Sequence, residues 1–241
     1  MSARGALPSG QEKTARVRAM FDAIAPRYDL VNGVITFGLD RLWRGRTVHA
    51  LALPPGSVVL DLACGTGALG HLATRAGCRV VGADMSWGML ARGPREAPAV
   101  QADAGLLPFA TASFDGVVCG YALRNFTDLA ASLAEAARVL RPGGRIAVLE
   151  VATPPNPLVR AGHAVWFRHA VPLIGAALSD PSAYRYLPES VAYLPDGDGL
   201  RAMLRDVGFA TVGRRLLQGG LSQILTATRV GGVAVAVAGD P

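Results

Sequence analysis

Between residues 56 and 150, short apolar runs alternate with amphipathic stretches, and the apolar runs are nearly continuous in Val, Ile and Leu. Continuous runs suit strands buried on both faces, as in a parallel sheet covered by helices on each side. The pattern predicts strands at 57–62, 79–83, 99–102, 114–120 and 145–151, with helices at 68–76, 87–93 and 128–140 between them. In the last helix Leu129, Leu133, Ala136, Ala137 and Leu140 recur on one face, Asp128 is placed to cap the start, and Arg138 and Arg141 lie near the end. Pro142-Gly143-Gly144 then stops the helix and turns the chain into the next strand. Two further strands at 210–217 and 222–229 complete a mostly parallel, seven-stranded α/β sheet ending in an antiparallel pair.

The flanks are helical. Helices are predicted at 14–25 and 39–53, separated by a turn-rich passage at 28–33, and residues 154–207 read as mostly helical with breaks at Pro172, Pro181, Pro188 and Pro195. The expected organisation is a helical cap segment at 1–55 and a single core at 56–229 with a helical insertion at 154–207. Both helical groups are expected to cap a sheet edge. Residues 230–241, rich in Gly, Ala and Val without periodicity, read as a disordered tail.

The chemistry concentrates where the first strand runs into a glycine-rich turn and a helix: Leu60-Asp61-Leu62-Ala63-Cys64-Gly65-Thr66-Gly67-Ala68-Leu69-Gly70. In a doubly wound fold this places a small-molecule site at the carboxyl end of the sheet. Gly65 and Gly67 remove Cβ atoms where backbone must approach a ligand, and the helix start presents free N–H groups. The literal Gly65-x-Gly67-x-x-Gly70 also fits a dinucleotide fingerprint. Three acids favour S-adenosylmethionine instead. Asp61, just before the turn, repels a pyrophosphate but suits the α-amino end of a methionine moiety. Asp84, at the end of the second strand, is placed to bond both ribose hydroxyls of either cofactor. Asp103 closes the third strand, where Asp103-Ala104 pairs with an adenine edge while Met85 and Leu90 line the ring.

Composition narrows the classes. Of 241 residues, 51% are hydrophobic and 17% charged, enough apolar material for a sizeable core. The longest uncharged runs, 170–179 and 230–239, fall short of the ~20 apolar residues of a spanning helix. No signal peptide is evident, because charged residues interrupt the first twenty. Three cysteines without a C-x-x-C pair argue against a disulfide framework or a structural zinc site, and fit a reducing cytoplasm; no metal is expected. The net charge of +6 resides mainly in the first fifty residues, as dispersed arginines with the single lysine Lys13, so nucleic acid is an unfavoured partner.

Beyond the general pattern, the chain resembles the ubiquinone and menaquinone C-methyltransferases, a class I, Rossmann-like, S-adenosylmethionine-dependent family. The resemblance lies in Met20-Phe21-Asp22-Ala23-Ile24-Ala25-Pro26-Arg27-Tyr28-Asp29-Leu30-Val31-Asn32, Phe37-Gly38-Leu39-Asp40-Arg41-Leu42-Trp43-Arg44, Leu123-Arg124-Asn125, Leu149-Glu150 and Tyr184-Arg185-Tyr186-Leu187-Pro188-Glu189-Ser190. It implies a prenylated quinol such as demethylmenaquinol as acceptor. By it, Thr66, Asp84, Asp103 and Ala104 fall on cofactor-binding positions, and Gly120 stands where the family usually has a cofactor-contacting Ser. Ala68, Asp40 and Tyr121-Ala122 also depart from the family pattern, as does a chain end lacking its His. These departures keep open an alternative acceptor, an aromatic or polyketide-like metabolite.

Methyl transfer to a quinol carbon needs an acceptor hydroxyl deprotonated or polarised, with water excluded. Arg124 is the candidate anion stabiliser and Tyr28 the candidate lid over the sulfonium or ring. His163 and His169 are candidate bases or packed core histidines. The apolar helix 158–178 reads either as core or as a slot for a lipid tail at a bilayer surface, with Arg160 and Arg168 facing headgroups. The expected partners are therefore a small aromatic or lipid-quinol substrate, peripheral contact with the inner membrane face, and a second copy of the chain in a homodimer.

Overall fold

The computed structural model describes residues 10–93, 97–180, 186, 190–191 and 193–231. Strands β1 (Val58–Leu62), β2 (Arg79–Asp84), β3 (Ala99–Gln101), β4 (Phe114–Gly120), β5 (Leu140–Val151), β6 (Phe209–Leu217) and β7 (Ser222–Arg229) form one sheet in the order β3-β2-β1-β4-β5-β7-β6. β1 to β5 are parallel, and β7 runs antiparallel to both β5 and β6. Strand order reverses between β1 and β4, which opens a crevice at their carboxyl ends.

The period of two along each strand sorts the core into two layers. Leu60, Leu62, Val117, Cys119, Ile146 and Val148 face α6 (Leu129–Val139) and the helix Gly197–Asp206 through Leu133, Ala136, Leu200 and Leu204. Val59, Val80, Val118 and Ala147 face α3 (Leu39–Leu51) and α4 (Ala68–Arg75) through Val48, Leu51, Leu69 and Ala73. Burying each large side chain contributes about 1.5–3 kcal/mol, so this three-layer packing dominates stability. The predicted strands appear with shifts at their ends. β5 starts early, at Leu140, and its pairing with β4 jumps from Phe114–Leu140 to Gly116–Arg145, so the expected Pro142-Gly143-Gly144 turn forms a bulge with Gly143 at φ +79°.

Two expectations about the flanks are corrected. The passage at 28–33 is no turn: Tyr28–Ile35 is a helix, α2, following α1 (Gly10–Ile24). Val31 and Ile35, one helical turn apart, are buried with Ile24, Ala25, Met89 and Val171, and that tertiary burial outweighs the turn preference of Asn32 and Gly33. α3, expected as part of an edge cap, packs on the sheet face, because Val48 and Leu51 complete the layer over Val59 and Val118. α1 and α2 do form a cap, above α5 (Trp87–Leu90). The helix α7 (Pro157–Val165) passes through a π-helical stretch at Trp166–Ala170 into α8 (Val171–Leu178), with Pro172 in the first turn of α8 rather than at a break. Pro195 precedes Gly197–Asp206, here α9, whose Asp196 side chain accepts from the Gly199 amide at 2.7 Å. Pro181, Pro188 and the expected tail beyond Gly231 lie outside the described residues, as do Tyr184, Arg185, Leu187 and Glu189 of the family motif.

Candidate active site

At the carboxyl ends of β1 and β4 the backbone takes left-handed turns at non-glycine residues, Ala63 at φ +53° and Tyr121 at φ +58°. Such positions are strained and cluster at functional sites. Between them lies a narrow cleft of about 60 Å³ that brings together Gly65, Asp84, Met85, Asp103, Ala104 and Gly120 from the sheet end and Tyr28 from the cap. Gly65 has φ +56° and nothing within 4 Å of a Cβ position, leaving its backbone open to a ligand. Asp84 Oδ2 accepts from the Gly65 amide and Oδ1 from the Ser86 amide, both at 2.8 Å. Each oxygen keeps a lone pair for a further donor. Burial, with the nearby charge of Asp22, pushes the Asp84 carboxyl up, while the Ser86, Gly65 and Met85 amides pull it down. Asp103 is exposed, and its side chain accepts from the Gly105 amide at 2.8 Å.

The remaining loop residues lie behind or beside the cleft. Asp61 does not line it: wholly buried under the turn, its Oδ2 accepts from the Gly70 amide at 2.7 Å. A Cβ at Gly70 would stand 2.9 Å from that oxygen, so the last glycine of the loop is what lets the acid approach. Desolvation pushes the Asp61 carboxyl up to about 7, which weakens the expected repulsion of a pyrophosphate, since near neutral pH the group carries only part of a charge. The Cys64 thiol packs toward Gly82, where a Cβ would stand 2.9 Å from its Sγ, and burial raises its pKa. Gly67, at φ +79°, starts α4. Thr66 points to the cap, its hydroxyl donating to Asp29 Oδ1 at 3.0 Å. A second tie joins α1 to the start of α5, because Asp22 Oδ1 accepts from Ser86 Oγ at 2.6 Å and from the Gly88 amide at 2.7 Å. Met89 lines the cleft where Leu90 was expected, since one step along the short α5 rotates Leu90 away.

Next to the cleft, and sharing Phe21, Tyr28, Tyr121 and Asn125 with it, is a larger chamber of about 370 Å³. Its walls are mostly apolar, among them Ile24, Ile35, Phe37, Trp43, Val159 and Trp166. The chamber also contains Arg124 and His163. Arg124, on the turn after β4, donates through Nη1 to Glu150 Oε1 at 2.8 Å and to the Tyr121 carbonyl at 2.6 Å. Its partner is thus a buried strand residue rather than a helix-cap acid. His163 packs on Phe167 with ring centroids 4.4 Å apart, and burial lowers its pKa. His169 is exposed and outside the chamber.

Several side chains of the site carry no sequence signal of their own. Glu150 reads as part of an apolar strand, and Phe21 and Asn125 as family motif letters without a role. Asp22 and Asp29 read as ordinary helix acids, although two acids ahead of an amide-rich turn are the available clue to the cap ties.

Comparison with known proteins agrees with this geometry. The sequence profile of the ubiE/COQ5 methyltransferase family matches residues 9–229. The demethylmenaquinone methyltransferase of Corynebacterium kroppenstedtii is 41% identical over 221 residues, covering 91% of this chain and 96% of the relative. That of Beutenbergia cavernae is 44% identical over 218 residues, covering 89% and 91%. Among solved structures, a SAM-dependent methyltransferase from Thermotoga maritima superposes with a TM-score of 0.63 at 18% identity, covering 88% of this chain and 99% of that one, a likeness of fold.

Proposed function

Because the chain belongs to the ubiE/COQ5 methyltransferase family, we propose that this S-adenosylmethionine-dependent methyltransferase methylates a ring carbon of a prenylated quinol such as demethylmenaquinol, the reduced form of the quinone in its relatives' names. The observation that carries this reading is the shared wall: a cleft that holds the carboxylates of Asp84 and Asp103 and a larger, mostly apolar chamber meet at Phe21, Tyr28, Tyr121 and Asn125.

The residues present fit the cofactor chemically. Gly65 offers open backbone, Asp84 two remaining lone pairs for a hydroxyl pair, and Met85 and Ala104 apolar surface beside Asp103. Asp29 ties α2 to the turn after β1 through Thr66, and Asp22 ties α1 to the turn after β2 through Ser86 and Gly88, so both helices border the cleft. When bound, S-adenosylmethionine supplies an electrophilic methyl group on a sulfonium.

In the chamber, His163 takes the proton of an acceptor hydroxyl, and Arg124 holds the resulting oxyanion through Nη2, because Nη1 is committed to Glu150 and Tyr121. The oxyanion pushes electron density onto the adjacent ring carbon, making it the nucleophile; that carbon then loses its own hydrogen as a proton to restore aromaticity, and the imidazolium returns its proton to the oxygen. Aromatic walls exclude water and Tyr28 closes the junction, which favours displacement over hydrolysis.

No helix among the described residues is long and apolar enough to cross a membrane. Exposed Leu30, Val34, Phe37, Leu158 and Leu173 support peripheral contact with a bilayer carrying the acceptor. Purified protein with labelled S-adenosylmethionine is to be offered demethylmenaquinol, a panel of soluble phenols, and tRNA. Label is expected in the quinol, whereas label only in soluble phenols or in tRNA refutes the reading.

A further inference from the structure

α3 works on two sides. One face turns Asp40 and Trp43 toward the acceptor chamber. The opposite face, with Arg41, Gly45, Arg46 and His49, forms one wall of an open groove of about 620 Å³, whose other wall on β6 carries Arg215, while the adjacent Arg214 donates through Nε to Gln223 Oε1 at 2.6 Å. No acidic side chain lines this groove, and Arg41, Arg46 and Arg215 have neither a carboxylate nor a hydrogen-bond partner among the described residues. Arg44, on the chamber side of the same helix, is by contrast paired with Asp40 at 3.6 Å. Converging guanidinium groups repel one another, and a concavity lined by one sign of charge concentrates counter-ions.

Gly45 adds an independent observation. It sits mid-helix, where glycine is destabilising relative to alanine, yet its φ is not positive and nothing stands within 4 Å of a Cβ position. Neither backbone strain nor internal packing requires a glycine there. Its missing side chain deepens the groove between Arg41 and His49.

We propose that this groove is a binding site for a phosphate-bearing anion, its oxygens held by the guanidinium forks of Arg41, Arg46 and Arg215. Planar forks match phosphate geometry. No Phe, Tyr or Trp lines the groove to stack nucleobases, which disfavours a polynucleotide as the occupant. The site is separate from the methyl-transfer chamber and does not depend on the identity of the acceptor.

The test uses the full chain and two probes at low ionic strength: inorganic pyrophosphate followed by calorimetry, and sedimentation with phosphatidylcholine vesicles with or without phosphatidylglycerol. Saturable binding of pyrophosphate supports a free phosphoryl ligand. Binding only to the phosphatidylglycerol vesicles supports a lipid headgroup. In either case Arg46→Gln and Arg215→Gln are each expected to weaken binding roughly tenfold. Gly45→Glu, which suits a helix and places a carboxylate in the groove, is expected to abolish it without lowering the melting temperature, while transfer to a soluble methyl acceptor is unchanged. Absence of binding to both probes, or binding unaltered by all three substitutions, overturns the proposal.

Discussion

Arg124 and Glu150 form an ion pair of 2.8 Å in the interior, with Glu150 wholly buried and Arg124 only 8% exposed. Adjacent strands bring them together: Glu150 is near the end of β5, Arg124 follows β4, and Glu150 Oε1 also accepts from the Val151 amide at 3.0 Å. Arg124 Nε and Glu150 Oε2 have no hydrogen-bond partner among the described residues, so the pair is incompletely satisfied in the interior. An arrangement of this kind adds little net stability but fixes the direction of the guanidinium.

Separating stability from catalysis tests that role. Glu150→Ala is expected to cost about 3–5 kcal/mol in urea unfolding, because it strands a buried cation. Replacing both partners, Arg124→Met with Glu150→Leu, is expected to restore most of that stability while leaving methyl transfer abolished. Arg124→Lys keeps the charge but loses the fork, and turnover is expected to fall roughly ten- to hundredfold.

Asp84 is the residue on which cofactor affinity is expected to turn. It orders Gly65 through one oxygen and Ser86 through the other, so Asp84→Ala removes both the charge and the loop support. Calorimetry with S-adenosylmethionine is expected to show roughly ten- to hundredfold weaker binding, from the loss of charge-assisted hydrogen bonds. Unchanged affinity would remove Asp84 from the site.

The sheet was legible because its strands are buried on both faces, which leaves nearly continuous apolar runs such as Val58–Leu62 and Phe114–Gly120, each interrupted by a single aspartate. The glycine-rich turn was legible because Gly65 and Gly67 occupy backbone conformations that leave a trace in residue type. α2 was not, since Asn32 and Gly33 favour a turn locally and only the distant Met89 and Val171 make burial of Val31 and Ile35 decisive. The depth of Asp61 was hidden for a related reason. An acid at a strand end reads as facing ligand, and only the fold shows the Gly70 amide beneath it.

That depth has a pH signature. Asp61 is held near 7, above the 3.8 of an ordinary aspartate, so between those values the folded chain retains a proton that the unfolded chain has lost. The contribution of Asp61 to stability therefore falls as pH rises from about 4 to about 7, by up to about 4 kcal/mol. Asp84, raised as well, adds to the same slope. Asp61→Asn keeps an acceptor for Gly70 without the charge, and is expected to flatten urea midpoints across that range and to exceed the parent in stability at pH 8. A slope unaltered in this variant would contradict the assignment.

The ties from α1 and α2 to the two turns are expected to set how fast a ligand enters and leaves the cleft. Thr66 and Asp29 meet in an exposed hydrogen bond of 3.0 Å, worth little to global stability but joining α2 to the turn that carries Gly65. Asp29→Ala is expected to leave the melting temperature nearly unchanged while both association and dissociation of S-adenosylmethionine accelerate in stopped-flow measurements. Asp22→Ala removes two bonds at once and is expected to accelerate them further. Identical rates in all three proteins would mean that the cap does not gate the cleft.

His163 provides the test of the proton path. Its pKa lies below the usual 6.5 because burial disfavours the imidazolium, so the ring is neutral and competent as a base at neutral pH. The rate of transfer is expected to hold level near pH 7 and above, and to fall as pH drops through that lowered pKa. Stability shifts in the same direction, since the unfolded chain takes up the proton more readily than the folded one. Rates are therefore to be read only where the protein remains folded by circular dichroism. His163→Ala is expected to lower the plateau roughly a hundredfold or more and to abolish the acid limb, as loss of a general base does. An acid limb that persists in His163→Ala would assign the proton to another group, whatever the plateau does, because an unchanged pKa cannot belong to a deleted imidazole.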